Sequence, residues 1–225
     1  DNSLLQLKEH YGNKVVPIQF PINCGPSFNS MIDVLLMKQY SWGPDGGVPT
    51  ITEIPEEYKE KALEMHQQLV EAAAENDEGL MDKFFEQGAL SEDELRLGIR
   101  KGLVDRSIFP VFCVSALKDM GVRRMMEFLG NVVPYVKDMP TPVNSELEEV
   151  PVDSDGPVSL FVFKTTVEPH IGEVTYFKVM SGTLKAGADL TNMNRDSKER
   201  LAQIYCVCGQ VKTPVDELKA GDIGA

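Results

Sequence analysis

Apolar residues along this chain change their spacing about two thirds of the way through, and the change divides it. In the first part, Leu4 to Tyr11 reads as the tail of a helix, and Val15 to Phe20 alternates as a short strand bounded by Pro17 and Pro21. Phe28 to Trp42, rich in β-branched and large apolar residues, predicts one long or two short strands, and Gly43 to Pro49 (GPDGGVP) predicts a turn. After Pro55, Ala62, Met65, Leu69, Ala72 and Ala73 recur at three and four residues, the spacing of a helix with one buried stripe. Gly79 interrupts or loosens that helix before Leu80 to Phe85, and Gly88 stops it. Ser91 and Glu94 have capping-box spacing, with Leu90 and Leu95 on either side as a hydrophobic staple, and the helix they start runs to about Gly102. Phe109 to Val114 is a continuous apolar run, predicting a strand covered on both faces. Val122 to Val133 is an amphipathic helix closed by Pro134.

Pro140 to Gly156, PTPVNSELEEVPVDSDG, has no periodicity and reads as a linker. Beyond it Val158–Val167, Glu173–Met180, Asp189–Asn192 and Arg200–Val207 read as short strands separated by glycine turns, the texture of a small antiparallel barrel. The predicted fold is α/β followed by an antiparallel β-barrel.

Charge adds a second division. The chain carries a formal net charge of −13. Between Glu53 and Glu94, 14 acidic residues face only Lys59, Lys61 and Lys83, whereas from Pro157 onward 8 acidic residues balance 8 basic ones. An acidic block repels phosphate backbones and favours basic protein partners, although a solvated helix face has the same composition. DNA and membranes are not predicted partners: the apolar runs, such as Met31 to Met37, are far shorter than the ~20 residues of a spanning helix. The chain opens without Met and without a basic-then-apolar leader, as expected of an internal piece of a cytoplasmic protein. Cys24, Cys113, Cys206 and Cys208 are too scattered for a disulfide scaffold, and Cys206 and Cys208 lack the further ligands a metal would need, so all four read as structural thiols.

The search for catalytic chemistry returns mainly absences. No G-x-x-x-x-G-K-[ST] occurs, hence no glycine-rich cradle for phosphates, and Asn13-Lys14 lacks the Asp two residues on that would grip a guanine edge. Asp153 to Gly156 matches D-x-x-G formally but sits in the linker rather than after a buried strand. His10, His66 and His170 lie in unrelated contexts, His170 as an exposed turn residue, and no Ser/His/Asp set is formed. The carboxylates of the acidic helix repeat evenly instead of standing in an apolar pocket that would tune a pKa.

The barrel segment carries Phe163-Lys164, Glu168-Pro169-His170-Ile171-Gly172, Val179-Met180-Ser181-Gly182-Thr183-Leu184, Gly187, Lys198-Glu199-Arg200 and Ala220-Gly221-Asp222-Ile223. Upstream stand Ile32-Asp33-Val34, Met37-Lys38, Trp42, Ile54-Pro55, Leu69-Val70-Glu71, Ala73-Ala74-Glu75 and Ser115-Ala116-Leu117-Lys118 with Gly121-Val122. In this order the series resembles elongation factor G and its close relatives among translational GTPases, along essentially the whole chain. Leu117 stands where that family usually has Phe, and Val114 where it often has Gly.

The resemblance implies that residues 1–142 are the C-terminal part of a P-loop GTPase domain, with an α/β insertion subdomain over about 13–108. It implies a linker over 143–156 and, over 157–225, a barrel domain II incomplete at its C-terminus. Ser115, Ala116 and Leu117 would form the guanine-base edge of a GTP/GDP site with Mg²⁺ in the intact protein. No nucleotide binding or turnover is expected of this chain alone, and no catalytic or metal residue is assigned. Glu60, Glu64 and Glu71 would face the ribosomal stalk protein. Lys198 and Arg200 would meet small-subunit ribosomal RNA, or pair with Glu199 or Asp196. Two functions follow: part of a GTP-dependent ribosomal translocase, or part of a divergent paralogue that binds or protects ribosomes with altered or absent GTP hydrolysis.

Overall fold

The computed structural model describes residues 2–168 and 172–225, which form two compact units, Asp1–Pro134 and Tyr135–Ala225. His170 and the middle of the Glu168–Gly172 motif lie outside the described residues.

The first unit runs α1 (Asn2–Tyr11), β1 (Val15–Pro17), β2 (Gln19–Pro21), β3 (Ser30–Asp33), β4 (Lys38–Ser41), β5 (Thr50–Thr52), α2 (Glu56–Ala74), α3 (Glu78–Gln87), α4 (Glu92–Val104), β6 (Phe109–Val111) and α5 (Val122–Asn131). The single strand predicted over Val15–Phe20 is two, divided at Ile18. β1 pairs in parallel with β6, while β2 pairs antiparallel with β3 in the sheet β2-β3-β4-β5. Ile18 is wholly buried and serves both sheets, donating its N–H to the Val111 carbonyl and accepting from the Val34 N–H, each at 3.0 Å.

Period-two alternation divides the antiparallel sheet between two cores. Phe20 and Ile32, cross-strand partners, point into the larger core with Leu69 and Ala73 of α2, Leu95 and Ile99 of α4, and Phe128 of α5. Met31 and Tyr40, also partners, point the other way and pack with Phe28, Trp42 and Met120. Each fully buried Leu, Ile or Phe contributes about 1.5–3 kcal/mol, so the larger core dominates this unit's stability.

The acidic helix is interrupted, but ahead of Gly79 rather than at it. It ends at Ala74, and a new helix starts after Asp77, whose carboxylate accepts from the Leu80 N–H at 3.0 Å. Asp and Asn compete with helix backbone for hydrogen bonds, so an Asn76-Asp77 pair is a stronger break than one glycine. Gly88 closes α3 in the left-handed conformation, and the Ser91/Glu94 capping box opens α4 as predicted. The run Phe109–Val114 departs from expectation: only Phe109–Val111 is strand, and it is half-buried. Its one strand neighbour among the described residues is β1, and with Leu7 and Tyr11 it lines an open groove of about 420 Å³.

The second unit is antiparallel throughout. Its strands are β7 (Ser159–Glu168), β8 (Gly172–Ser181), β9 (Thr183–Lys185), β10 (Ala188–Asn192), β11 (Ser197–Leu201), β12 (Ile204–Cys208), β13 (Val211–Val215), β14 (Glu217–Lys219) and β15 (Ile223–Gly224). They pair as β15-β8-β7, β14-β9, β10-β11 and β12-β13. Phe177, Val179, Leu184, Ile204 and Leu218 form the core. The strand predicted over Arg200–Val207 breaks at Ala202-Gln203, where the chain leaves one hairpin for the next. The proline-bearing stretch before β7 is pinned to this unit: the Asp153 carbonyl accepts from the Gly182 N–H at 2.7 Å, and the Ser154 carbonyl from the Thr183 hydroxyl at 2.8 Å.

Candidate functional site: the Ser115–Met120 loop

Between β6 and α5 the chain makes a tight loop closed by two backbone hydrogen bonds. The Ser115 N–H donates to the Met120 carbonyl at 2.8 Å, and the Met120 N–H donates back at 3.1 Å. Inside that closure Asp119 takes a left-handed conformation, φ 48°, which Asp tolerates better than most residues. Gly121 follows at φ 77°, where a Cβ would sit 2.5 Å from the Cys113 carbonyl oxygen, so only glycine lets the chain turn from the loop into α5.

The loop is braced from outside itself. The Lys118 ammonium donates to the Pro26 carbonyl at 2.7 Å, and the Gly47 N–H donates to the Asp119 carbonyl at 3.1 Å. Gly46 lies so close that a Cβ there would fall 1.6 Å from the Lys118 carbonyl oxygen. The GPDGGVP turn is thus a buttress for this loop, itself held by the Trp42 indole N–H on the Gly47 carbonyl at 3.1 Å.

Beneath the loop runs a buried polar chain. Asp33 accepts from the Arg124 Nε at 2.7 Å, from the Gln19 amide at 3.1 Å and from the Leu36 N–H at 2.9 Å, and the Gln19 side-chain oxygen accepts from the Cys113 N–H at 3.1 Å. Gln19, Asp33 and Arg124 are all buried, so this network ties β2, β3, α5 and the root of the loop together in a water-excluded space. Burial, with Cys24 nearby, pushes the Cys113 thiol up to about 11, leaving it protonated and inert.

Ser115, Ala116 and Leu117 therefore lie on one preorganised loop. Ser115 is half-buried with its N–H spent on the closure, while Ala116 and Leu117 are exposed and, among the described residues, their N–H groups donate to no backbone partner. The Leu117 side chain is 98% exposed. An exposed pair of backbone donors can bind an acceptor group. Glu60, Glu64 and Glu71 fall on one exposed stripe of α2, within about 40° at 3.6 residues per turn. Gln67 and Gln68 donate to Glu71 and Glu64 respectively. Lys198 and Arg200 lie on the second unit, exposed on one face of β11, opposite Thr191 and Asp189. Among the described residues neither joins an ion pair; Glu199 instead accepts from the Asn192 amide at 2.7 Å.

Sequence reasoning missed the Asp33–Arg124 network as a feature of the site. A signal existed: Asp33 interrupts the apolar run from Met31 to Met37, and Arg124 is four residues before Phe128 on the helix face that packs inward.

The described residues thus form an α/β unit with a strand–loop–helix edge, followed by an antiparallel β domain. Residues 157–225 match the family profile described as elongation factor G domain 2. The crystal structure of a protein from Thermus thermophilus is similar over 100% of this chain, with 26% sequence identity and a TM-score of 0.77. The chain spans 32% of that protein's length. The similarity to elongation factor G is thus carried by residues 157–225, which the α/β unit precedes in the chain.

Proposed function

We propose that this chain is part of a ribosome-binding translation elongation factor, cytoplasmic and GTP-dependent in its intact form, that moves tRNA and mRNA through the ribosome. The observation that carries the reading is the match of residues 157–225 to elongation factor G domain 2, placed directly behind an α/β unit with a braced base-edge loop. The Ala116 and Leu117 N–H groups hold the guanine edge of GTP or GDP, and the closure at Ser115 and Met120 sets their direction. The phosphates and Mg²⁺ need a glycine-rich cradle, which these 225 residues do not contain. This chain alone therefore does not turn over nucleotide.

The Glu60, Glu64 and Glu71 stripe meets a basic surface of the ribosomal stalk protein, weakly and with strong salt dependence. Lys198 and Arg200, outside every ion pair among the described residues, meet phosphates of small-subunit ribosomal RNA. Since the barrel as a whole has no excess positive charge, that contact positions rather than drives binding.

The test is pelleting with ribosomes at low and high salt. Binding by the intact factor should fall with charge reversal at Glu60, Glu64 and Glu71, and separately at Lys198 and Arg200; unchanged recruitment in both variants overturns the reading. Calorimetry of this chain with GTP should show no micromolar binding.

A further inference from the structure

On the second unit, Cys206 and Cys208 stand two positions apart on β12. This strand pairs with β13 through five consecutive partners, from Ile204 with Val215 to Cys208 with Val211, without a slip in register. In a strand this regular, alternate side chains share a face, so both sulfurs leave the hairpin on the same side. Both residues are exposed, which departs from the structural thiols expected of them. Their cross-strand neighbours on that face are Thr213 and Val211, and neither strand of the hairpin carries an Asp, Glu or His.

Strand geometry decides what the pair can do. At an antiparallel rise of about 3.4 Å per residue, Cβ atoms two positions apart are about 6.8 Å from each other. A disulfide needs about 3.5–4.5 Å, so a direct Cys206–Cys208 bridge would have to break β12. The shortfall is about 2.3–3.3 Å. An ion seated between the sulfurs replaces one S–S bond of about 2.0 Å by two thiolate–metal bonds of about 2.3 Å, the length found for zinc. That lengthens the bridge by about 2.6 Å, which matches the shortfall.

The donors select the ion. Hard cations such as Mg²⁺ and Ca²⁺ take oxygen ligands, and the hairpin offers no carboxylate. Structural zinc takes four ligands, and iron–sulfur clusters are held by four cysteines. Among the described residues no group of three or more His, Cys, Asp or Glu is placed to hold a metal. Thiolates also select Cu(I), for which two opposed sulfurs complete a linear site. We propose that Cys206 and Cys208 bind one soft, two-coordinate cation of the Cu(I) class, each thiol giving up its proton as the ion enters. The proposal stands independently of the ribosomal reading.

The whole chain, kept reduced and free of oxygen, is titrated with Cu(I) against a coloured Cu(I) chelator, and bound metal is counted by native mass spectrometry. One ion should be retained per chain. Cys206→Ser and Cys208→Ser should each weaken retention by about a hundredfold, because a lone thiolate has no second anchor. Cys24→Ser, at another exposed thiol, should change nothing. Circular dichroism checks that the variants fold. In the unmodified chain, bound Cu(I) should protect Cys206 and Cys208 from alkylation and leave Cys24 reactive. No retained ion, a Cys206→Ser or Cys208→Ser variant that holds Cu(I) as tightly as the unmodified chain, loss in Cys24→Ser, protection that extends to Cys24, or displacement by equimolar Zn(II) each overturns the proposal.

Discussion

Arg124 reaches from α5 to Asp33 on β3 with 2.7 Å between Nε and Oδ2, and the two side chains are 5% and 0% exposed. The pair is separated by 91 residues of sequence, so it locks β3 of the antiparallel sheet to the helix that follows the Ser115–Met120 loop. Removing one member of such a pair strands the other charge in a space without water.

Asp33→Ala should therefore destabilise the first unit by about 3–5 kcal/mol, and Arg124→Met by a comparable amount. The double variant Asp33→Leu/Arg124→Met should recover most of the loss, because two apolar side chains leave no buried charge behind. Urea unfolding followed by Trp42 fluorescence measures all three, and an additive double variant would remove the coupling claimed for the pair.

Gly46→Ala should cost more than the ~1 kcal/mol of an ordinary turn substitution, since it adds strain at φ 70° to a collision with the Lys118 carbonyl. The Trp42 emission should shift too, as its indole is bonded to Gly47. Gly43→Ala, where a Cβ meets nothing within 4 Å, is the control and should be near neutral.

Glu94 gives α4 a pH-dependent start. The Lys83 ammonium, then the Ser91 N–H and hydroxyl, hold its carboxyl down at about 2 from an ordinary 4.5. A depressed folded value means the stabilisation is complete above about 4.5 and is lost as pH falls toward about 2. An NMR titration of the Glu94 carboxyl should show the low midpoint. In Lys83→Met the midpoint should move back up toward 4.5, so the loss of stability in acid should be smaller and complete at a higher pH than in the unmodified chain.

Thiol reactivity should separate into two classes. Cys24, Cys206 and Cys208 are exposed and should react with a thiol reagent quickly at pH 8, whereas Cys113, protonated up to about 11 and half-buried under the loop, should lag by orders of magnitude. Four equal rates would mean the root of the loop opens to solvent.

Local physics made much of the fold legible. The 3.6-residue stripe on α2, the Ser91/Glu94 capping box, the glycine-separated strands after residue 157 and the strand–loop–helix around Ser115 all follow from spacing and short-range hydrogen bonding. The errors have the same cause in reverse. Ile18 looks like mid-strand because alternation does not register that the chain changes sheets there, and Phe109–Val114 looks doubly covered because an apolar run does not say how many neighbours it has. The Asn76-Asp77 break was readable but outcompeted by a nearby glycine.

The sequence by itself determined the class of the protein: the two textures, the charge division and the ordered motifs are all properties of neighbouring residues. Only the tertiary structure decided how the Ser115–Met120 loop is held, because each brace is made across the fold. Lys118 on Pro26, Gly46 against the Lys118 carbonyl, and Gln19 bridging Asp33 to the Cys113 N–H join residues 14 to 94 positions apart. Such contacts leave no period in the chain, since what selects them is the energetic penalty of an unpaired polar group once the surrounding core has excluded water.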